Sequence, residues 1–244
     1  MTALLALTRT EARLLRRDLG TALVAIVLPS ALLLILGAVP ALRHADPLFG
    51  GQRFIDVFCP SLVVVTIAVL GLNGLPIRLA TYREKGVLRR MSTTPVHPGA
   101  LLAAQLIVNI GALVLAVGAL LAVARIAFAI PLPRHVLGFL AAAGLGTAAV
   151  FAVGLVVAAL APTARAGTGA SVPLYLLAML LGGVYLPRFL LPDALVRIGS
   201  YTPPGVQAIQ DAWTGAGPHL AQLAALALIS AVAGTVAAVV LRWE

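Results

Sequence analysis

The stretch Thr81 to Gln105, TYREKGVLRRMSTTPVHPGALLAAQ, decides how the rest of the chain is read. It is polar and basic, it carries the sole lysine, Lys85, and it lies between two long apolar runs. Across the 244 residues hydrophobic types make up 61% and charged types 10%, with a mean hydropathy of +1.06. A soluble domain averages about 45–50% apolar and about 25% charged residues. A water-soluble core cannot absorb that much apolar surface, so the chain reads as an all-α integral membrane protein. The net charge of +9 does not point to nucleic acid, because the basic residues border apolar runs and lack interleaved aromatics.

Six runs reach the roughly 20 residues needed to cross a hydrocarbon core. They cover about 19–39, 57–77, 101–123, 136–160, 168–186 and 220–241, and none has an acidic or basic residue in its interior. Helices are expected, since a span must satisfy its backbone groups internally. With the N-terminus inside, 11 Lys and Arg fall on the inner side and 6 on the outer, which predicts both termini in the cytoplasm. Residues 1–18 place Arg9, Arg13, Arg16 and Arg17 among leucines at near-helical spacing. This predicts an amphipathic interfacial helix with Arg13, Arg16 and Arg17 at the inner surface, ahead of a membrane domain over 19–244. A basic lead-in to the first span is the plainer alternative.

Two features keep two readings each. In the fourth run Gly138, Ala142, Gly146, Gly154 and Ala158 form a row that permits close helix approach, either within the chain or against a second copy. The segment from Pro187 to Pro218 is too polar and proline-rich to span and long for a connection. Short helices over Leu195–Ile198 and Val206–Trp213, divided at Pro203 and Pro204, would make it a re-entrant element in the outer leaflet or an ordered outer loop. Pro29, Pro60, Pro76 and Pro173 predict kinks within spans.

Catalytic chemistry is not legible. Lys85 lies in Glu-Lys-Gly, so no phosphate-binding Gly-Lys-Ser/Thr loop exists and the chain cannot bind ATP that way. The histidines His44, His97, His135 and His219 lack metal-ligand spacing, and Cys59 is alone. No catalytic or metal-binding residue is therefore assigned. Ion-coupled carriers keep ionisable groups within the membrane, whereas all eight acids here fall outside the runs or at their edges. The neutral polar groups Asn73, Gln105 and Asn109 remain, as lining for a translocation path or as hydrogen-bonding glue between helices.

Tyr82 to Met91 reads as a short cytoplasmic helix with a basic edge, ended by Pro95 and Pro98. The run YREKGVLRRM, followed by Thr94-Pro95-Val96 and Ala100 to Gln105, resembles the signature of ABC-2 type transporter permeases. In that family a Glu-x-Gly-x-Leu core and a later Thr-Pro step lie between the second and third spans. Glu84 and Gly86 match directly; Arg83, Leu88, Arg89, Arg90 and Pro95 accompany them.

The resemblance implies a type V exporter fold of six spans, with an interfacial helix, a coupling helix and a short outer re-entrant segment. It implies a permease subunit in a bacterial inner membrane, paired with a second permease and with two ATPase subunits that bind the ATP and magnesium. On the same basis residues 83–90 resemble the element through which ATPase closure reaches the spans. The small isolated chain looks most like daunorubicin-type drug-resistance exporters, moving a hydrophobic or amphipathic substrate outward. Polysaccharide or glycolipid exporters share the fold, and a secondary carrier is the rival class.

Overall fold

The computed structural model describes residues 2–17, 23–87, 90, 99–186 and 190–240. Helix α1, Thr2–Arg17, precedes an apolar segment made of a π-helical turn, Leu23–Val27, and helix α2, Leu28–Ala38. Helix α3 runs over Phe54–Glu84, α4 over Gly99–Phe128, α5 over Val136–Leu160, α6 over Ala164–Leu181 and α9 over Leu220–Val240. Two short helices, α7 at Asp193–Tyr201 and α8 at Val206–Thr214, fill the connection between α6 and α9. A two-residue hairpin pairs Ala45–Asp46 with Gln52–Arg53 between α2 and α3.

Among the described residues five helices are long and apolar enough to cross a membrane, one fewer than the six runs predict. The shortfall is the run over 19–39, where α2 has 11 residues behind a five-residue π-helical turn and residues 18–22 lie outside the described set. The start of α6 moves by capping. Thr163 accepts a hydrogen bond from the Ala166 N–H at 3.2 Å, so α6 starts at Ala164, four residues before the predicted run. It ends at Gly182 and Gly183, the latter at φ 74°.

Both π-helical turns stop two residues before a proline: Leu23–Val27 before Pro29, and Val69–Gly74 before Pro76. A proline has no N–H for the carbonyl four residues back, and a widened turn is one way for the ladder to absorb that loss without breaking the helix. The sequence marked these prolines as kinks; the observed form is a local widening.

Helix α3 is the axis of the bundle. Of its apolar window 72% is buried, against 11% for α9, which lies on the outside along α5. The small-residue row of α5 is used within the chain. A Cβ at Gly154 would overlap the Gly71 carbonyl oxygen, and one at Gly146 would overlap that of Pro204. Gly146 lies about ten residues into α5, roughly 15 Å along its axis. The turn between α7 and α8 therefore reaches about half the depth of the bundle before the chain returns, which makes this pair a re-entrant hairpin. Val206, Ala208, Ile209, Ala212 and Trp213 of α8 are buried, and the helix packs on α3 and α5.

The two ends of the bundle differ. One end holds α1, the end of α3 and the turn from α5 to α6; the other holds the hairpin, the turn from α4 to α5, and the mouth of α7 and α8.

Candidate functional site

At the first of these ends, α3 carries Tyr82, Arg83 and Glu84 on its last turn. The sequence predicted a separate helix over Tyr82–Met91; Tyr82 to Glu84 instead complete α3, which stops at the Lys85–Gly86 turn, and Val87 and Arg90 beyond it are helical again. Lys85 N–H bonds to the Thr81 carbonyl at 3.0 Å and Gly86 N–H to that of Arg83 at 2.9 Å. Gly86 has φ 65°, a left-handed geometry that glycine adopts without Cβ strain and that ends helices. Backbone bonding resumes at Arg90, whose N–H meets the Gly86 carbonyl at 3.1 Å. Of the other predicted coupling residues, Leu88, Arg89 and Pro95 lie outside the described set.

Arg83 and Glu84 point into the protein's own turn between α5 and α6. Arg83 Nη1 donates to the carbonyls of Ala158, Ala159 and Ala161 at 3.0, 3.2 and 3.0 Å. Those of Ala158 and Ala159 belong to the last turn of α5, where they have no partner inside the helix and carry the negative end of its dipole, and that of Ala161 belongs to its C-cap. Glu84 Oε2 accepts the Ala164 N–H at 2.9 Å, at the positive start of α6. Neighbouring side chains of opposite sign thus serve opposite helix ends. The end of α3 is braced to α5 and α6 through charge-assisted hydrogen bonds.

A second link joins α3 to α1. Tyr82 Oη donates to Glu11, at 2.9 Å from Oε1 and 3.1 Å from Oε2. Glu11 is only 3% exposed, and burial pushes its carboxyl above the ordinary range, partly offset by the Tyr82 hydrogen bond and the charge of Arg78. Gln105 is fully buried beside this pair and helps hold the Glu11 charge, although neither of its amide atoms closes a hydrogen bond of normal geometry. Asn109 donates from Nδ2 to the Gln105 carbonyl at 2.8 Å. Asn73 lies in the π-helical turn of α3, and its Oδ1 is buried with no hydrogen-bond partner. Arg13, Arg16 and Arg17 are exposed on α1, as are Lys85 and Arg90 beyond α3. This end therefore presents cations outward, while Glu11 is buried and the exposed Glu84 bonds back to the start of α6.

Sequence reasoning missed Glu11 as a partner for Tyr82, and Thr163 as a cap. Thr163 had a local signal, a threonine just ahead of an apolar run. Glu11 had none, since a single acid among arginines reads as an ordinary surface residue of an amphipathic helix. Among the described residues no group of three or more His, Cys, Asp or Glu could hold a metal ion.

Compared with known families, residues 2–210 match the ABC-2 type transporter family. The chain belongs to that family. Comparison with curated proteins and with solved structures gave no match. An ABC-2 type transporter chain is the membrane subunit of an ABC transporter, multi-pass and itself non-catalytic, and the family generally works with ATP-binding cassette subunits. The match takes in α1, the Arg83–Glu84 brace and most of the re-entrant hairpin, and stops before α9.

Proposed function

We propose that this permease exports a hydrophobic or amphipathic substrate across a bacterial inner membrane, driven by two separate ATPase subunits at the end that carries α1 and the Arg83–Glu84 brace. A second permease completes the assembly, and both termini face the cytoplasm. The brace is the observation that carries this reading. A partner that pushes on Lys85, Gly86 and the residues after them acts on the end of α3, and the brace passes that displacement to α5 and α6 together. The exposed cations of α1 and of Lys85 and Arg90 suit a cytoplasmic surface that meets both anionic headgroups and an ATPase. The apolar character of the described spans suits a greasy cargo better than a small ion.

Transport into inside-out vesicles tests this. Uptake that needs ATP, stops with vanadate and survives a proton ionophore is the expected result. Uptake that ignores nucleotide and collapses with the proton gradient would place the chain with gradient-driven carriers instead.

A further inference from the structure

Two cavities adjoin at the end of the bundle opposite the brace. The larger, about 530 Å³, is walled by Phe49, Phe54, Phe58, Val184 and Tyr185. The smaller, about 220 Å³, is walled by Arg134, Gln207, Asp211, Trp213 and Thr214. Gln52, Val57 and Gln210 line both, so the two form one cleft with an apolar, aromatic chamber and a polar one. The combined size lies in the range of small-molecule sites, and an apolar wall with a few placed polar groups is their usual make-up.

The polar chamber is set up to take a ligand. Trp213 is 5% exposed and its indole nitrogen is shut off from solvent, so the ring supplies wall to the chamber and no donor. Asp211 accepts from Gln207 Nε2 at 2.7 Å and from Gln222 Nε2 at 3.4 Å, both neutral amides. Its carboxylate thus keeps acceptor capacity toward the cleft. Gln210 Nε2 donates to Ser61 Oγ at 3.2 Å where the chambers meet, which fixes that amide on the boundary.

We infer that this cleft binds an amphipathic molecule, with its apolar body among the phenylalanines and a hydroxyl-bearing head in the polar chamber. Hydroxyl groups match the chamber because each can donate to Asp211 and accept from the Arg134 guanidinium on its wall. A purely apolar ligand would leave Asp211 without a further donor, whereas Asp56 is already held by Arg53 through two hydrogen bonds of 2.7 Å. As the last station of an outward path, the cleft rests on the export reading above; as a binding site it does not, so the test uses the permease alone.

The permease has two tryptophans, Trp213 and Trp243. In a Trp243→Phe background in lipid nanodiscs without any ATPase, energy transfer from Trp213 to 4-methylumbelliferyl glucoside, an aryl body with a hydroxylated head, reports occupancy. The expected result is saturable transfer, its midpoint raised roughly three- to tenfold by Asp211→Asn and again by Phe58→Leu. Leu137→Ala, at a residue 83% exposed on α5, should leave it unchanged. Transfer that rises linearly without saturating, or that saturates alike in all four proteins, would overturn the assignment. Saturable binding without ATP-driven export would leave the site standing and remove only the export role.

Discussion

Arg83 and Glu84 hold their places through helix ends, and their substitutions should separate stability from coupling. Arg83→Ala removes the charged donor from three carbonyls at the end of α5 and its C-cap. A loss of about 1–2 kcal/mol in detergent unfolding is expected, less than for a buried site because Arg83 is partly solvated. Glu84 is exposed and caps a single N–H, so Glu84→Ala should cost under about 1 kcal/mol and leave membrane insertion intact. ATP-driven transport should nonetheless fall in both variants, with Glu84→Gln intermediate because it keeps an acceptor oxygen but not the charge. Glu11 makes a different prediction. Its folded-state pKa is raised by burial, so the native state binds a proton more tightly than the unfolded chain. Stability should then fall as pH rises from the ordinary carboxyl value, near 4.3, through the raised one, and the loss should persist above it. Unfolding midpoints of the parent against Glu11→Gln across that window check this, because the glutamine variant should lack the slope. At this scale the Glu-x-Gly motif was legible, but the helix expected over Tyr82–Met91 ran through Gly86, and its left-handed turn was not foreseen. Nor were the targets of the two charged side chains, since Ala158 to Ala164 give no local sign that they await a partner some eighty residues earlier.

At the scale of elements, the fit of α5 is set by absent side chains. Gly146→Ala and Gly154→Ala would drive a methyl into the carbonyls of Pro204 and Gly71, while a Cβ at Gly144 meets nothing within 4 Å. Each of the first two should lower the unfolding midpoint, at about 1–3 kcal/mol apiece, and Gly144→Ala should be neutral or slightly stabilising. Equal effects at all three would contradict the close approach of α5 to α3 and to the hairpin turn. The row of small residues was visible in the sequence as a packing surface. Which surface it met was open, because periodicity describes one helix and says nothing about its neighbour. The reach of the α7–α8 turn was hidden for the same reason. The prolines near the two π-helical turns announced a disturbance, yet a kink and a widened turn share one sequence signal.

At the scale of the whole molecule, burial divides the bundle into two unlike ends joined by α3, and the apolar runs made the helical membrane bundle legible in advance, although one of the six falls short of a span. The exposed apolar faces, such as Val114 and Leu115 of α4 and Leu228 and Val239 of α9, suit lipid or a second permease. Orientation can be read with Cys59→Ala as background and single cysteines at Arg17, Leu48 and Leu132. A membrane-impermeant maleimide should label positions 48 and 132 in intact cells, and position 17 only after permeabilisation. The central claim, that force from an ATPase enters at the end of α3 and is shared by α5 and α6 through Arg83 and Glu84, is tested most directly in the complex isolated by affinity purification of the permease. The account predicts that a P-loop ATPase co-purifies with the parent and with the Arg83→Ala, Glu84→Ala double variant alike, and that after reconstitution the variant hydrolyses ATP while moving several-fold less substrate per ATP. An unchanged ratio of transport to hydrolysis, or a permease that carries substrate with no ATPase attached, would contradict it.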